Sequence, residues 1–187
     1  WKLWRLARLY RRADAIIANS AGVRDDIAQV TGVPRARIHL VRNPVITPDL
    51  ETLAAAPLEH PWLDDTDVPV VIGAGGLRQQ KDFATLIRAF AELRSEFPCR
   101  LILLGEGAER SRYLQLADEL SVSHDVDLPG EVQNPYAYMA RANLFVLSSY
   151  ASEGSPNALK EAMALGLPVV STDCPSGPRE ILANGAY

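Results

Sequence analysis

The residues from 68 onward predict an α/β fold built on a doubly wound parallel sheet. Three observations support this: apolar runs rich in β-branched residues, segments with apolar residues at the helical period, and the regular alternation of the two. Alternating strands and helices form a parallel sheet that is covered on both faces and binds ligands at the carboxyl ends of its strands. We predict strands at residues 68–73, 100–104, 125–128, 144–147 and 168–171, and helices at 83–97, 110–120, 135–140, 156–165 and 178–183.

The composition limits the class of protein. Of the 187 residues 48% are apolar and the formal net charge is −4, so the chain can form a proper core and gives no overall reason to expect nucleic acid. No apolar run reaches the length of a membrane span. Cys99 and Cys174 lie far apart, without the spacing of a metal or redox site, and the three histidines are scattered. We therefore expect a cytoplasmic protein without a metal site.

The first twelve residues predict a basic amphipathic helix. Tryptophan, leucine and tyrosine are interleaved with lysine and arginine, and no acidic residue is present. Such a helix can lie on an anionic membrane surface. It can also pack on a neighbouring domain and keep its arginines in water, which is the interpretation that we favour.

The segment that follows predicts two strands around a helix. Residues 13–20 are typical of a strand that ends at Ser20, which is a suitable N-cap for a helix over residues 21–30. Gly32 would close this helix. Residues 37–41 predict the second strand.

Residues 46–67 predict a linker, because they are rich in Pro, Asp, Glu and Ala and show no lasting periodicity. The sequence Asp65-Thr66-Asp67 within this segment could hold a divalent cation. It has no second set of ligands and lies directly before a strand, so we interpret it as a solvated turn.

The loop after the first strand of the predicted sheet is rich in glycine. It fails the dinucleotide fingerprint, whose third glycine would have to be Arg78, and it also fails the P-loop pattern. What remains is a turn containing Gly75 and Gly76 that leads to Lys81 at the start of a helix. A cation in that position opposes the helix dipole and is best tolerated beside a bound anion.

The stretch 152–170 carries the most specific pattern in the chain. Ser155 and Pro156 are typical of an N-cap and a first helical residue, and Gly166 of the helix end. The free N–H groups at such a helix start attract an anion, and Gly154 leaves room for a ligand to approach the backbone. This stretch therefore predicts a phosphate-binding turn.

Two glutamates flank this turn. Glu153 precedes the helix, and Glu161 lies one helical turn after Asn157 on the same face. Two carboxylates beside a phosphate repel it unless a group with several O–H donors lies between them, and a sugar or ribose diol is such a group. Considered without the surrounding sequence, the two glutamates fit the solvated face of a surface helix better than a ligand site.

The sequence EGSPNALKEAMALGLPVVSTD, which begins at Glu153, resembles the signature of the retaining glycosyltransferases of family four, which have the two-domain GT-B fold. The resemblance implies that the sheet is the Rossmann-like C-terminal half of that fold. It also implies that Glu161 binds the nucleotide ribose and that Glu153 meets the hydroxyls of the donor sugar. The diphosphate would lie on the backbone between them, at Gly154, Ser155, Pro156, Asn157, Ala158 and Leu159.

The loops after other strands extend the resemblance. Residues 73–83 resemble the family's Gly-Arg-Leu-x-x-x-Lys loop, whose Arg and Lys grip the donor diphosphate. Lys81 matches, Gly76 stands where the Arg is usual, and Arg78 could reach in from two residues on. Residues 175–180 resemble the family's final substrate loop. The implied donor-binding residues in the loops after the first three strands are Gly75, Gly76, Arg78, Lys81, Gly105, Gly107 and Val132, the last three of them around the base.

The N-terminal residues carry a further part of the resemblance. Residues 13–20 are similar to the last strand of the family's N-terminal domain, and the segment after them to the interdomain connection. We expect residues 1–45 to be the remnant of the acceptor domain, 46–67 the interdomain linker and 68–187 the nucleotide-sugar-binding domain, incomplete at its C-terminus. Since Trp1 is not a natural start, we expect a piece of a longer protein that binds nucleotide without turning it over.

The implied reaction is transfer of a sugar from a nucleotide-sugar, expected to be a UDP-sugar, to an acceptor hydroxyl with retention of configuration. Glu153 and Lys81 are the expected catalytic residues, and no metal or other cofactor is expected. The partners would be the donor and a glycan or lipid-linked acceptor of surface polysaccharide synthesis, with peripheral contact at the inner face of the cell membrane left open. Two alternatives also stay open: a non-catalytic nucleotide-sugar-binding module and a GT-B nucleotide-sugar epimerase.

Overall fold

The computed structural model describes residues 2–64, 67–151 and 153–186. Ser152 and the Asp65-Thr66 part of the predicted turn lie outside the described residues. The chain divides into two compact units, which we name the terminal unit and the sheet unit. The terminal unit comprises Trp1–Pro44, Ser152–Asn157 and Asp173–Tyr187, and the sheet unit comprises Val45–Ala151 and Ala158–Thr172.

The helices and strands of the described residues follow the predicted alternation. The helices are α1 (Lys2–Arg12), α2 (Ala21–Thr31), α3 (Leu50–Ala54), α4 (Pro61–Asp64), α5 (Phe83–Glu96), α6 (Arg110–Glu119), α7 (Pro135–Met139), α8 (Asn157–Ala164) and α9 (Gly177–Ile181). The strands are β1 (Ile16–Ala18), β2 (Ile38–Leu40), β3 (Val70–Ala74), β4 (Arg100–Leu104), β5 (Val126–Gly130), β6 (Leu144–Leu147) and β7 (Val169–Ser171).

The sheet unit is built on a five-stranded sheet with the order β5-β4-β3-β6-β7. Every neighbouring pair is parallel, so the predicted doubly wound parallel sheet is confirmed. After β3 the chain builds the sheet on one side, through β4 and β5, and then returns to the other side for β6 and β7. The switch point therefore lies between the carboxyl ends of β3 and β6, which is where open α/β sheets bind ligands.

The central strands consist almost wholly of apolar residues, which suits a sheet that is covered on both faces. Leu101, Ile102 and Leu103 of β4 are each 0% exposed, which is the pattern of a buried parallel strand. On one face, Phe83 from the start of α5 meets Tyr113 of α6 edge to face, with the ring centroids 6.0 Å apart. This core fixes the starts of α5 and α6, and with them the loops after β3 and β4.

The terminal unit has a small core of its own. β1 and β2 pair in parallel with Ile16 opposite Ile38, and α2 packs against both strands. The predicted caps of α2 are confirmed: the Val23 N–H donates to Ser20 Oγ at 3.2 Å, and Gly32 takes the left-handed conformation at φ 66°. These caps satisfy backbone groups that the helix ends leave open.

The segment predicted as a linker folds onto the sheet unit. It forms α3 and α4, and α3 packs on α7. Downstream, His60 is 7% exposed, and its Nε2 lies 3.0 Å from Asp127 Oδ2 at the start of β5. The apolar residues Leu50 and Leu63 are buried within this segment. The lack of a long helical repeat of apolar residues in this segment therefore reflects short, packed helices.

The helix α1 packs on α2 in the terminal unit, and the Arg11 Nε–H donates to the Thr31 carbonyl at 3.1 Å. Its other face is open: Trp4 is 65% and Leu9 67% exposed, and the Arg8 guanidinium lies over the Trp4 ring at 5.7 Å. None of the helices in the part of the chain that the structure describes has the length and apolar character needed to cross a membrane.

Candidate functional site

Glycines at the carboxyl ends of β3, β4 and β5 join the three strand ends into one layer. Gly75, Gly105 and Gly130 all have positive φ, at 151°, 130° and 92°. The Gly75 N–H donates to the Leu104 carbonyl at 2.9 Å, and the Gly105 N–H to the Gly130 carbonyl at 2.8 Å. Side chains in these conformations are strained. The loops therefore form a backbone-lined edge of the sheet.

Packing between the loops accounts for two of the predicted donor-binding glycines. A Cβ on Gly105 would lie 2.1 Å from the Gly75 carbonyl oxygen, and a Cβ on Gly107 would lie 2.3 Å from the Leu77 carbonyl oxygen. Both positions thus require glycine for the fold itself. Their contact with a nucleotide stays a prediction, as does that of Val132, which lies half-buried in the loop after β5.

Two cationic side chains lie along the backbone of Gly75 and Gly76. Arg78 is extended, with φ −123° and ψ 153°, and Leu77 before it is 0% exposed. The Arg78 N–H donates to the Gly76 carbonyl at 2.8 Å, so the chain turns tightly at Leu77 and brings Arg78 back beside Gly76. Its Nε lies 3.4 Å from the place of a Cβ on Gly76, and Lys81 Cε lies 3.3 Å from the place of a Cβ on Gly75.

The segment that carries these cations is fastened at the switch point. Lys81 ends a 3-10 turn, so it lies before α5 and not at its start. The Ser148 hydroxyl, just after β6, donates to the Lys81 carbonyl at 2.8 Å, and the Tyr150 N–H donates to the Gln80 carbonyl at 3.3 Å. Asp82 then caps α5 by accepting from the Thr85 N–H at 3.3 Å. Both ends of the loop are therefore fixed.

Glu161 lies on α8 of the sheet unit, where its carboxylate is half-buried. Burial raises the pKa of Glu161, and hydrogen bonding with Tyr136 of α7 and the charge of Lys160 offset the rise only in part. Burial and the Glu161 carboxylate likewise raise the pKa of Tyr136. Glu161 is therefore a carboxylate whose burial disfavours its charged form.

The helix α8 begins at Asn157, one residue later than predicted. Gly166 ends it as predicted, with φ 75°, and the Leu167 N–H donates to the Ala162 carbonyl at 3.0 Å, as in a Schellman cap. Among the predicted donor-binding residues of this stretch, Leu159 is 0% exposed and Pro156 has no N–H. Their side chains support the turn, and donor contacts would have to come from the neighbouring amides, including those of Ser155 and Ala158.

Glu153 lies in the terminal unit, where its backbone pairs with the loop before α9. The Glu153 N–H donates to the Pro175 carbonyl at 3.2 Å, and the Gly177 N–H donates to the Glu153 carbonyl at 2.6 Å. Next to it, a Cβ on Gly154 would lie 2.9 Å from Asn19 Oδ1. Asn19 thus takes the space that the sequence analysis left for a ligand beside Gly154. Glu153 and Glu161 thus belong to different units.

The terminal unit contains two further contacts that the sequence analysis did not identify. The Asn43 Nδ2–H donates to Asn157 Oδ1 at 3.0 Å. The Glu180 carboxylate accepts from the Ala21 N–H at 2.8 Å and from Arg42 at 2.5 Å. Burial raises the pKa of Glu180, but these two donors outweigh it and hold the pKa below its ordinary value. The contacts join residues far apart in sequence, so no local pattern could have indicated them.

Curated relatives of the chain are glycosyltransferases. It is 35% identical over 175 residues to an uncharacterised glycosyltransferase of Methanocaldococcus jannaschii. This match covers 92% of this chain and 43% of the relative. It is 34% identical over 182 residues to the N-acetylgalactosamine-N,N'-diacetylbacillosaminyl-diphospho-undecaprenol 4-alpha-N-acetylgalactosaminyltransferase of Campylobacter jejuni, covering 97% of this chain and 47% of that protein. The chain thus spans a little under half the length of these relatives.

Solved structures share the fold. The apo form of the lipopolysaccharide outer core galactosyltransferase WaaB is 28% identical with a TM-score of 0.68, and the match covers 90% of this chain and 45% of that one. Anabaena HepE in complex with UDP-glucose is 24% identical with a TM-score of 0.79, over 96% of this chain and 50% of that one.

Two family matches divide the chain. Residues 1–48 match the family described as Glycosyltransferase Family 4. Residues 68–187, well over half of the chain, match the family described as Glycosyl transferases group 1. The chain therefore belongs to the group 1 glycosyltransferases.

Proposed function

We propose that the protein to which this chain belongs transfers a hexose from a UDP-sugar to an acceptor hydroxyl with retention of anomeric configuration. The observation that carries the proposal is the pair of cations beside Gly75 and Gly76. Arg78 and Lys81 both lie along this backbone, directly after β3 at the switch point of the sheet. Two fixed positive charges at a ligand-binding edge suit a diphosphate.

The chemistry of the reaction gives these cations a role. When the bond between the sugar and the diphosphate breaks, negative charge grows on the leaving oxygen. Donors and cations that are already in place stabilise this charge without reorganising. We assign this role to Lys81 and Arg78, and we propose that it needs no metal ion. The leaving phosphate oxygen would then take the proton of the acceptor hydroxyl as the hydroxyl oxygen bonds to the same face of the sugar, which gives retention.

The remaining contacts are assigned by the chemistry of the donor. A half-buried carboxylate accepts two hydrogen bonds from a diol, so Glu161 would bind the ribose. Glu153 would orient the donor sugar, and the amides from Gly154 onward would meet the diphosphate. Backbone groups around Val132, Gly105 and Gly107 would surround the base. UDP and UDP-glucose are bound in the Anabaena structures that share this fold, which supports a uridine donor.

The acceptor is proposed from the relatives and from α1. The Campylobacter relative is named for a diphospho-undecaprenol acceptor, and two Rhizobium meliloti relatives for lipopolysaccharide core biosynthesis. We propose a glycan or lipid-linked acceptor at the cytoplasmic face of the cell membrane. The exposed Trp4 and Leu9 among the arginines of α1 would suit peripheral contact with anionic lipid.

Calorimetric titration of UDP tests the site. We expect Lys81→Ala, Arg78→Ala and Glu161→Ala each to weaken UDP binding about tenfold, which corresponds to about 1.4 kcal/mol. Arg88→Ala is the matched control, since Arg88 is an exposed cation on α5, and it should leave the affinity unchanged. Unchanged UDP binding in all three site variants would refute the assignment. For the whole protein, the anomeric configuration of the product by NMR tests retention.

A further inference from the structure

We propose that Tyr113 is a positioning residue for the recognition of the donor diphosphate, because its hydroxyl fixes the backbone of Arg78. This inference rests on the proposed function and adds to it a residue of α6 that touches no part of the nucleotide. Tyr113 is 1% exposed, so it can act on a ligand only through the residues that it contacts.

The first support is the contact between the two residues. The Tyr113 hydroxyl donates to the Arg78 carbonyl at 3.3 Å. Burial, together with the charges of Glu109 and Asp82, raises the pKa of Tyr113, so the hydroxyl keeps its proton and remains a donor. The same carbonyl accepts from the Lys81 N–H at 3.0 Å, and the two lone pairs of a carbonyl oxygen suit two donors. The carbonyl that joins the two cationic residues is therefore held from the side of α6.

The second support is the way in which the Tyr113 side chain is held. Its ring meets the Phe83 ring edge to face, with the centroids 6.0 Å apart, and Phe83 is 2% exposed at the start of α5. The Tyr113 N–H donates to the Glu109 carbonyl at 3.0 Å. Packing and the helix thus fix the ring that carries the hydroxyl, which is what a precise ligand site requires.

The third support is that the loop before α6 also holds the residue next to Arg78. The Leu77 N–H donates to the Glu106 carbonyl at 2.8 Å, and the Glu109 N–H donates to the Leu77 carbonyl at 3.1 Å. Leu77 is 0% exposed, whereas Arg78 is exposed. The place of the Arg78 charge therefore depends on the backbone that carries it, and this backbone is fixed by the loop and by Tyr113.

The two cationic residues have separate supports. The Ser148 hydroxyl donates to the Lys81 carbonyl at 2.8 Å, as the Tyr113 hydroxyl does to the Arg78 carbonyl. Both hydroxyls belong to buried residues, since Ser148 is 4% exposed and Tyr113 1%. Removal of the Tyr113 hydroxyl should therefore affect Arg78 and leave the fastening of Lys81 in place.

Calorimetric titration of UDP at two salt concentrations tests the positioning role. Tyr113→Phe removes only the hydroxyl, and the Arg78 carbonyl keeps its bond from the Lys81 N–H, so we expect the variant to fold. A distance of 3.3 Å is long for a hydroxyl donor, so the expected loss of UDP affinity is moderate. It should be about threefold to fivefold in about 0.05 M salt and less than about 1.5-fold in about 0.5 M salt, because salt screens the attraction between Arg78 and the diphosphate. Tyr138→Phe is the matched control, since the Tyr138 ring packs on His60, and it should change neither affinity.

A double-mutant cycle separates this inference from the proposed function. In the Arg78→Ala background, Tyr113→Phe should weaken UDP binding less than about 1.5-fold, because the residue that it positions no longer carries a charge. If Arg78→Ala does not weaken UDP binding, the proposed role of Arg78 is wrong and this inference falls with it. If Arg78→Ala weakens it and Tyr113→Phe does not, or if the loss in Tyr113→Phe is the same at both salt concentrations or in both backgrounds, the positioning role alone is wrong.

Hydrogen exchange tests the contact without any nucleotide. The Lys81 N–H reports on the Arg78 carbonyl, to which it donates. We expect Tyr113→Phe to speed the exchange of this amide about threefold and to leave the exchange of the amides within α5 unchanged. Unchanged exchange at Lys81 would show that the hydroxyl does not fix this backbone. Equal acceleration throughout the sheet unit would show that Tyr113 supports the fold in general, and either result would overturn the inference.

Discussion

The two loops that we propose for donor binding are held in place by different means. The cationic loop, residues 75–82, is fastened by the ends of neighbouring strands, as when the Ser148 hydroxyl meets the Lys81 carbonyl. The acidic loop, residues 153–157, is fastened by residues distant in sequence, as when Asn43 meets Asn157.

The sheet unit by itself supports only the cationic loop. The bonds that fix the cationic loop come from within the sheet unit, so the loop forms wherever the sheet forms. The acidic loop takes its conformation from segments before residue 44 and after residue 173. A change in these segments would therefore alter the acidic loop while the cations keep their place.

The largest effect is expected when a methyl group is added at the end of β4, where the strand ends support the cationic loop. In Gly105→Ala the new Cβ would lie 2.1 Å from the Gly75 carbonyl oxygen, at a φ of 130°. We expect a loss of about 3 kcal/mol or more in the free energy of unfolding together with loss of UDP binding, measured by urea denaturation and calorimetry. Gly76→Ala, with ordinary contact at 3.4 Å, should cost little stability. If the two changes reduce stability and UDP binding equally, the ends of the strands do not hold the cationic loop in place.

Moving an arginine from position 78 to position 76 tests the role of charge in the cationic loop. The Arg78 Nε lies 3.4 Å from the place of a Cβ on Gly76, so we expect the charge to work from either position. Arg78→Thr should weaken UDP binding about tenfold, or about 1.4 kcal/mol. The double change Gly76→Arg with Arg78→Thr should restore it to within about threefold, as measured by calorimetry. Failure of the double variant to recover any affinity would show that Arg78 acts through its own local contacts and not as a diphosphate cation.

The contacts of Glu180 allow the support of the terminal unit to be tested separately. Glu180 caps α2 at Ala21 and pairs with Arg42. Glu180→Ala should destabilise α2 by about 1 kcal/mol, seen as faster hydrogen exchange of its amides, with the sheet-unit amides unchanged.

The pH dependence of this contact follows from the pKa of Glu180. Its pKa in the folded chain is lower than the ordinary value of 4.5, so the carboxylate stabilises the fold above that pH and the contribution is lost as the pH falls through the folded pKa. Exchange of α2 in the Ala variant should then be less sensitive to acid than in the unchanged chain. Equal acid sensitivity in both would show that Glu180 contributes nothing here.

Much of the fold could be predicted from local patterns because the relevant forces are local. The β-branched runs marked the five strands of the sheet, Ser20 marked the start of α2, and Gly166 marked the end of α8. Each of these depends on a few adjacent residues: a capping hydroxyl, a left-handed glycine, or continuous burial of a parallel strand.

The contacts that tertiary packing creates could not be predicted in the same way. The side chains of Asn134 and Arg141, on either side of α7, donate to the Leu53 and Ala54 carbonyls of α3. Backbone carbonyls have no sequence signal, so no local pattern specifies these contacts. Gly105 and Gly107 were recognised as glycines of a ligand loop, but the carbonyl oxygens that exclude a Cβ there belong to the neighbouring loop.

The smallest expected effect concerns the cost of keeping Glu161 ionised. Burial raises the pKa of Glu161 above its ordinary value, so the folded state is less stable with this group ionised, and stability should rise as the pH falls through the folded pKa. Glu161→Gln removes this dependence and should stabilise the sheet unit at neutral pH by about a few tenths of a kcal/mol, since a half-exposed group is screened by solvent. Thermal melts at several pH values measure it. A destabilised variant would mean that the ionised carboxylate stabilises the fold in spite of its burial, whereas a stabilised variant with weaker UDP binding would show that the carboxylate is kept for its ligand at the expense of the fold.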